Sequence, residues 1–123
     1  MRSFTNITKT LFSFFNSLGY EVYLEGQISE SAKFPYIIIS YQLEDFGVDS
    51  LIQGQIRDKS YSRETVNRIS DELLSVIQNG IKIRTTDNEG YLYLRRGSPF
   101  IQPINDIEGL QVNYFNIIMK SFY

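Results

Sequence analysis

The stretch SPFIQPINDIEGLQVNYFNIIMKSFY, residues 98–123, decides the fold of this chain. Aromatic and branched side chains run through it on both sides of the segment Asp106-Ile107-Glu108-Gly109, which has the composition of a tight turn. The pattern predicts two long strands joined at that turn. A chain that ends in this way devotes much of its sequence to β pairing.

The apolar residues of the last strand change from one face to the other part-way along it. Alternation places Leu110, Val112 and Tyr114 on one face, and then Phe115, Ile117 and Met119 on the other. Two explanations are open. Either a bulge near Asn113 to Phe115 shifts the alternation, or the strand is central and covered on both faces.

Two other segments have the 3.6-residue spacing of amphipathic helices. The first covers about residues 4–18, with Ser3 as the predicted N-cap and Gly19 just beyond the end. Its apolar stripe consists of Phe4, Ile7, Leu11, Phe14, Phe15 and Leu18. The second helix follows the candidate N-cap Ser62 and stops at Asn79-Gly80. Its stripe consists of Val66, Ile69, Leu73, Val76 and Ile77.

The remaining strands are shorter, and Pro35 opens the most regular of them. Alternating or branched residues predict strands over residues 20–24, 36–45, 51–59, 81–85 and 91–96. Gly54 in the middle of the third indicates a bulge or a close approach of the backbone. Residues 86–90 have the composition of a hairpin loop. We therefore predict an α+β fold over residues 1–123, a single mostly antiparallel sheet with two amphipathic helices packed against it.

Composition limits the function classes. The chain has 123 residues, a net charge of −2 and no Cys or His, which excludes a disulfide framework, a thiolate zinc site and a thiol nucleophile. The excess of Lys and Arg that general nucleic-acid binding needs is missing. No apolar run approaches the roughly 20 residues that span a bilayer, so no membrane partner is expected.

Catalytic arrangements are weakly supported. Nucleophilic catalysis needs a base close to the nucleophile, and only the loop from Ser29 to Lys33 offers such residue types. A metal-dependent nuclease could use Glu44 or Asp45 with Asp58 and Lys59, although solvated surface acids explain them more simply. We therefore predict that the chain is not an enzyme and binds no cofactor or metal.

The segment Tyr91-Leu-Tyr-Leu-Arg-Arg96 offers a binding motif. Alternation places Tyr91, Tyr93 and Arg95 on one face, where the rings could stack on the bases of a single-stranded nucleic acid. Tyrosines that pack across strands and keep a wet hydroxyl are the simpler explanation.

The order of these elements resembles a known family. The residues that carry the likeness are Phe34-Pro35-Tyr36-Ile-Ile-Ile-Ser40, Tyr61-Ser-Arg-Glu-Thr-Val-Asn-Arg-Ile-Ser-Asp-Glu-Leu-Leu74, Gly97-Ser-Pro-Phe-Ile-Gln-Pro-Ile-Asn-Asp106 and Val112-Asn-Tyr-Phe-Asn-Ile-Ile118. Over nearly the whole length, the layout resembles the tail-terminator and tail-completion proteins of long-tailed bacteriophages and related head–tail connector proteins. Layout and short matches carry this resemblance, and no diagnostic motif does.

The resemblance implies a structural subunit. Such proteins form a homo-oligomeric ring, commonly a hexamer, that caps the tail tube and joins it to the head. The implied partners are other copies of the chain, the tail-tube protein and a neck or head-completion protein, while DNA passes through the lumen without specific binding. The implied location is the virion tail or neck, and the host cytoplasm during assembly. The family contributes no catalytic residues.

Charge and exposure suggest which residues could form the interfaces. A ring needs two different complementary patches, and the acidic first half of the chain contrasts with the basic region 57–96. Apolar residues on a turn also favour a partner. The candidate interface residues are Phe46, Val48, Asp49, Leu51, Arg57, Arg95 and Arg96. A head-completion protein on the portal side, a single-stranded nucleic-acid-binding domain and a nuclease remain alternatives.

Overall fold

A computed structural model describes residues 3–43, 45–104 and 109–123. In chain order the elements are α1 (Phe4–Ser17), β1 (Glu21–Leu24), β2 (Tyr36–Tyr41), β3 (Ser50–Asp58), α2 (Glu64–Ile77), β4 (Ile81–Arg84), β5 (Tyr91–Ile104) and β6 (Gln111–Phe122). The predicted α+β class is confirmed.

The six strands form one sheet in the order β1-β2-β3-β6-β5-β4. Pairing is antiparallel from β2 to β4 across the sheet, but β1 and β2 are parallel. The sheet is therefore mixed, and the prediction of a mostly antiparallel sheet is corrected. The reason is the long connection over residues 25–35. It returns the chain to the end of the sheet at which β1 begins, so that β2 runs in the same direction as β1.

The helix ends follow local hydrogen bonding. The Ser3 hydroxyl accepts a hydrogen bond from the backbone N–H of Asn6 at 3.0 Å, as a capping residue should. At the predicted stop, Gly19 has a φ of +95°, which glycine adopts at little cost. The second helix begins later than Ser62 predicted, although the Ser62 hydroxyl still accepts a hydrogen bond from the N–H of Glu64 at 3.0 Å.

Both helices pack on one face of the sheet, which we call the helix face, and close a single core. The predicted stripes supply it: four of the buried residues of α2 are Val66, Ile69, Leu73 and Ile77, and Ile7, Leu11, Phe14 and Phe15 come from α1. The sheet contributes Ile37, Ile39, Ile52, Ile56, Leu92, Leu94, Phe115, Ile117 and Met119, among others.

Gly54 is a site of close approach rather than a bulge. The register of β3 runs unbroken on both sides of it. A Cβ at Gly54 would lie 2.0 Å from Cζ of Phe115, whose ring is 1% exposed. The aromatic ring therefore occupies the space that a side chain would need.

The apolar residues of β6 change face part-way along the strand, and the position of β6 in the sheet bears on the two explanations. Strand β6 lies between β3 and β5, so the central position in the second explanation is confirmed, but no helix covers its second face in the described residues. Its pairing with β3 is regular. The bulge predicted near Asn113 to Phe115 is wrong. The irregularity lies in β5 between Arg96 and Ile101, so β5 joins two segments that we had predicted as separate strands. Most of the predicted turn, residues 106–108, lies outside the described residues.

Asn113 explains why the pattern of β6 is misleading. It points to the helix face, 1% exposed, at a position where alternation suggests an apolar residue. Its amide nitrogen donates to Ser70 Oγ at 2.9 Å and to Asn67 Oδ1 at 3.1 Å. Its amide oxygen accepts from the guanidinium of Arg63. A polar network therefore connects β6 to the start of α2.

Candidate interaction surface

The second face of the sheet carries no helix within the residues that the structure describes, and we call it the bare face. It displays the side chains that alternate with the core residues of each strand. Register places these side chains in rows that run across the strands. Three neighbouring areas differ in their chemistry.

The first area, the amide band, crosses the middle of the bare face. It consists of Ser40, Gln53, Gln55, Gln102, Tyr114 and Asn116, which line a shallow depression. Two of these amides have partners: Asn116 Nδ2 donates to the carbonyl of Pro99 at 2.9 Å, and Gln55 Oε1 accepts from Arg57. Gln53 and Gln102 are exposed to solvent. Because amides both donate and accept hydrogen bonds, such a band can bind polar protein surfaces without contributing charge.

The second area, the aromatic–basic surface, covers the bare face of β4, β5 and the end of β6. Register gives two rows, Arg84–Tyr91–Phe122 and Lys82–Tyr93–Lys120. The Arg84 guanidinium carbon lies 4.7 Å from the ring centroid of Tyr91, and the Lys120 ammonium lies 5.4 Å from that of Phe122. Cations over partly exposed rings make favourable cation–π contacts.

The third area, the loop ridge, consists of residues 48–51 together with Arg95. Val48 and Leu51 are 42% and 47% exposed, respectively. Between them, Asp49 forms an ion pair with Arg95 at 2.7 Å. The hydrogen bond from Arg95 lowers the pKa of Asp49. The ridge is therefore an apolar surface with a charged pair at its centre.

The structure brings together four of the seven candidate interface residues. Val48, Asp49, Leu51 and Arg95 meet in the loop ridge. Phe46 packs edge-on against Tyr123 at 5.8 Å between ring centroids, and its side chain is partly buried against the core. Arg57 lies at the far end of β3 and donates to Gln55 Oε1 at 2.9 Å. Arg96 points to the opposite face from Arg95 because the two are consecutive in β5.

The proposed nuclease residues are not brought together. Asp45 lies in the loop before β3, and its carboxylate accepts a hydrogen bond from the N–H of Phe46 at 2.7 Å. Asp58 is 8% exposed at the opposite end of β3, and Glu44 lies outside the described residues. Across residues 3–43, 45–104 and 109–123, no three acidic side chains are grouped closely enough to hold a metal ion. Neither helix in these residues has the length and apolar run needed to cross a membrane.

Most of the aromatic–basic surface was not predicted from the sequence. The motif Tyr91–Arg96 was visible, and the alternation of Ile81-Lys-Ile-Arg84 contains the signal for Lys82 and Arg84. The sequence pattern does not indicate that β4, β5 and β6 are neighbours in the sheet. This neighbourhood places Lys120 and Phe122 beside the tyrosines. The sequence likewise shows Gln53, Gln55 and Gln102 as single residues but does not indicate that they form one band.

No family model, curated protein or solved structure matches this chain.

Proposed function

We propose that this chain is a non-enzymatic structural subunit of a long-tailed bacteriophage, a tail terminator or tail-completion protein. Six copies of it form a ring that caps the tail tube and connects it to the head. Its partners are further copies of itself, the tail-tube protein and a neck or head-completion protein. DNA passes through the central hole without specific binding.

The observation that carries the proposal is the bare face of the sheet. In the described residues both helices pack on one side of the six-stranded sheet and the other side carries no helix, although Tyr36, Ile38 and Val112 on that side are buried. The exposed large apolar residues of that face and of the loop ridge are Val48, Leu51, Tyr91, Tyr114 and Phe122. Clustered apolar residues framed by polar groups are typical of surfaces that bind other proteins. Docking of partner subunits therefore suits this molecule better than turnover of a small substrate.

The loop ridge is the area that we assign to the tail tube or neck. It lies at the end of the sheet where β2 ends and β3 begins, so it projects from one end of the strands. Leu51 and Val48 supply apolar contact, and the Asp49–Arg95 ion pair connects the loop to β5. The uncharged amide band suits the wall of a DNA channel, since each Lys or Arg on a phosphate would add affinity.

The proposal is tested with purified protein and polymerising tail-tube subunits. We expect electron micrographs to show a ring at one end of each tube, and tubes that are shorter than those grown without the protein. Capture of the portal-side neck protein with no effect on tubes would instead identify a head-completion protein. Tubes that grow unchanged, with neither partner captured, would contradict both assignments.

The aromatic–basic surface supports a second candidate function, binding of single-stranded nucleic acid. Two rows that combine cations with aromatic rings match the stacking and phosphate contacts that such binding needs. We expect a salt-sensitive mobility shift with oligonucleotides that Tyr91→Ala with Phe122→Ala abolishes. The matched control is Tyr114→Ala, a tyrosine of the same face in the uncharged amide band. Equal loss in both variants would contradict specific stacking.

A further inference from the structure

The two edges of the sheet carry opposite charges. Strand β1 forms one edge and β4 the other, and each is paired on a single side in the part of the chain that the structure describes. On the β1 edge, Glu21 and Glu25 are exposed, whereas on the β4 edge the exposed charges are Lys82 and Arg84. An unpaired edge presents backbone donors and acceptors that can pair with another strand.

The side chains of both edges alternate in the same way. In β1, Val22 and Leu24 are in register with Ile37 and Ile39 of the core, so Glu21 and Tyr23 lie on the bare face. The N–H of Glu25 donates to the carbonyl of Ile39 at 3.0 Å, which continues the pairing past the strand end.

In β4, Ile81 and Ile83 are in register with Leu94 and Leu92, so Lys82 and Arg84 also lie on the bare face. If the two edges were placed side by side, acid would therefore meet base on the bare face and apolar residues would meet on the helix face.

Strand direction permits this contact in a ring. Strand β1 runs parallel to β2, and four successive antiparallel pairings bring β4 back to the direction of β2. The two edge strands therefore point the same way. Copies related by rotation about an axis along the strands would keep that direction and the same face outward. Edges that differ from each other form a head-to-tail contact, which closes into a ring when the rotation closes.

The edge side chains are already held on the bare face. The Tyr23 hydroxyl donates to Glu21 Oε2 at 2.6 Å, which raises the pKa of Tyr23. Arg84 donates to the carbonyl of Asn88 at 3.2 Å and stacks on Tyr91. Both charged groups are thus oriented before any partner arrives, which lowers the ordering cost of association.

We propose that β1 of one copy pairs in parallel with β4 of the next, so that the sheet continues from subunit to subunit. With Glu21 of one copy opposite Lys82 of its neighbour, Arg84 lies opposite Tyr23, between Glu21 and Glu25. The partner is a second copy of this chain, and the proposal rests on the proposed ring-forming function. It adds the identity of the interface between copies.

The test uses two charge-reversed variants of the full chain, Glu21→Lys with Glu25→Lys and Lys82→Glu with Arg84→Glu. All four positions are exposed, and circular dichroism checks that the variants fold. Like charges across an interface oppose association, so we expect each variant alone to associate about tenfold or more weakly than the natural chain in sedimentation and light scattering. An equimolar mixture should regain assembly, because each contact then joins opposite charges. Asp71→Lys, an exposed acid on α2, is the control that should assemble normally.

A second measurement does not depend on charge. The chain has no cysteine, so Glu21→Cys and Lys82→Cys can be mixed and treated with a short bifunctional thiol crosslinker. Crosslinking between the two different variants is expected, and crosslinking within Glu21→Cys alone would show β1 pairing with β1 and overturn the proposal.

The outcomes separate this inference from the function on which it rests. Assembly of the natural chain that neither charge-reversed variant weakens, or that the mixture fails to restore, overturns edge pairing and leaves the ring proposal standing. Edge-dependent rings that never cap a tail tube would support edge pairing and overturn the tail-terminator assignment. A natural chain that fails to self-associate in solution and on tubes overturns both.

Discussion

Gly54 and the ring of Phe115 meet where β3 passes β6, so no side chain fits at that glycine. We expect Gly54→Ala to destabilise the protein by about 1–3 kcal/mol, because the added methyl group must displace a buried ring in a packed core. Chemical denaturation of the two proteins measures the loss.

The control for this clash is a double-mutant cycle. Phe115→Leu alone should also destabilise the protein, since it leaves a cavity. Combined with Gly54→Ala, however, the smaller side chain gives room for the methyl group, so the two losses should sum to more than the double variant shows. Simple additivity would mean that the glycine is needed for another reason.

The Asp49–Arg95 pair makes a pH-dependent contribution that can be observed directly. The hydrogen bond from Arg95 lowers the pKa of Asp49. A depressed folded-state pKa contributes stability that is present above the unfolded pKa and is lost as the pH falls through the folded pKa. We expect Arg95→Gln to raise the pKa of Asp49 towards its ordinary value in an NMR titration of the carboxyl carbon. Arg96→Gln, on the other face, should leave that titration unchanged, and a shift in both would exclude a specific pair.

At the scale of elements, the network around Asn113 connects α2 to the centre of the sheet. Asn113→Ala would leave the buried Ser70 hydroxyl and the partly buried Arg63 guanidinium without this partner. We expect a loss of about 1–3 kcal/mol in the free energy of unfolding. Hydrogen exchange should become faster in the first turns of α2 while the C-terminal half of β6 stays protected.

Asn116 provides the matched comparison for this network. It lies in the same strand but on the bare face, where its amide donates to the Pro99 carbonyl near solvent. Water can replace that bond, so Asn116→Ala should cost clearly less than Asn113→Ala. Equal losses would mean that burial of the network contributes nothing.

At the scale of the whole molecule, the loop ridge should matter for assembly and not for folding. Leu51 is 47% exposed on the bare face, so Leu51→Glu is expected to leave the thermal midpoint within a few degrees of the natural protein. If the chain caps tail tubes as proposed, the same change should weaken capping about tenfold or more, since a charge placed in an apolar contact opposes docking. Ser75→Glu, at an exposed position of α2, is the control. A large drop in thermal midpoint for Leu51→Glu would assign the residue to the fold instead.

Periodicity and local chemistry were sufficient to predict both helices and most strands. The spacing of Ile7, Leu11, Phe14 and Phe15 marks the buried side of α1 because neighbouring turns of a helix share a face. Alternation did the same for Ile37 and Ile39 in β2, and Gly19, Gly80 and the loop over residues 86–90 marked ends of elements. These signals act over a few residues, so the amino-acid sequence carries them without help from the rest of the chain.

Tertiary structure alone decided which strands are neighbours, and with that the parallel β1–β2 pair, the buried Asn113 and the surfaces of the bare face. Lys120 lies beside Tyr93, and Asp49 reaches Arg95, only because distant strands are in register. Pairing of this kind depends on contacts between residues far apart in the chain, whose free energies compete across the whole sheet. A local sequence pattern cannot encode that competition. The pattern therefore determined the helices and strands but not the surface that they form together.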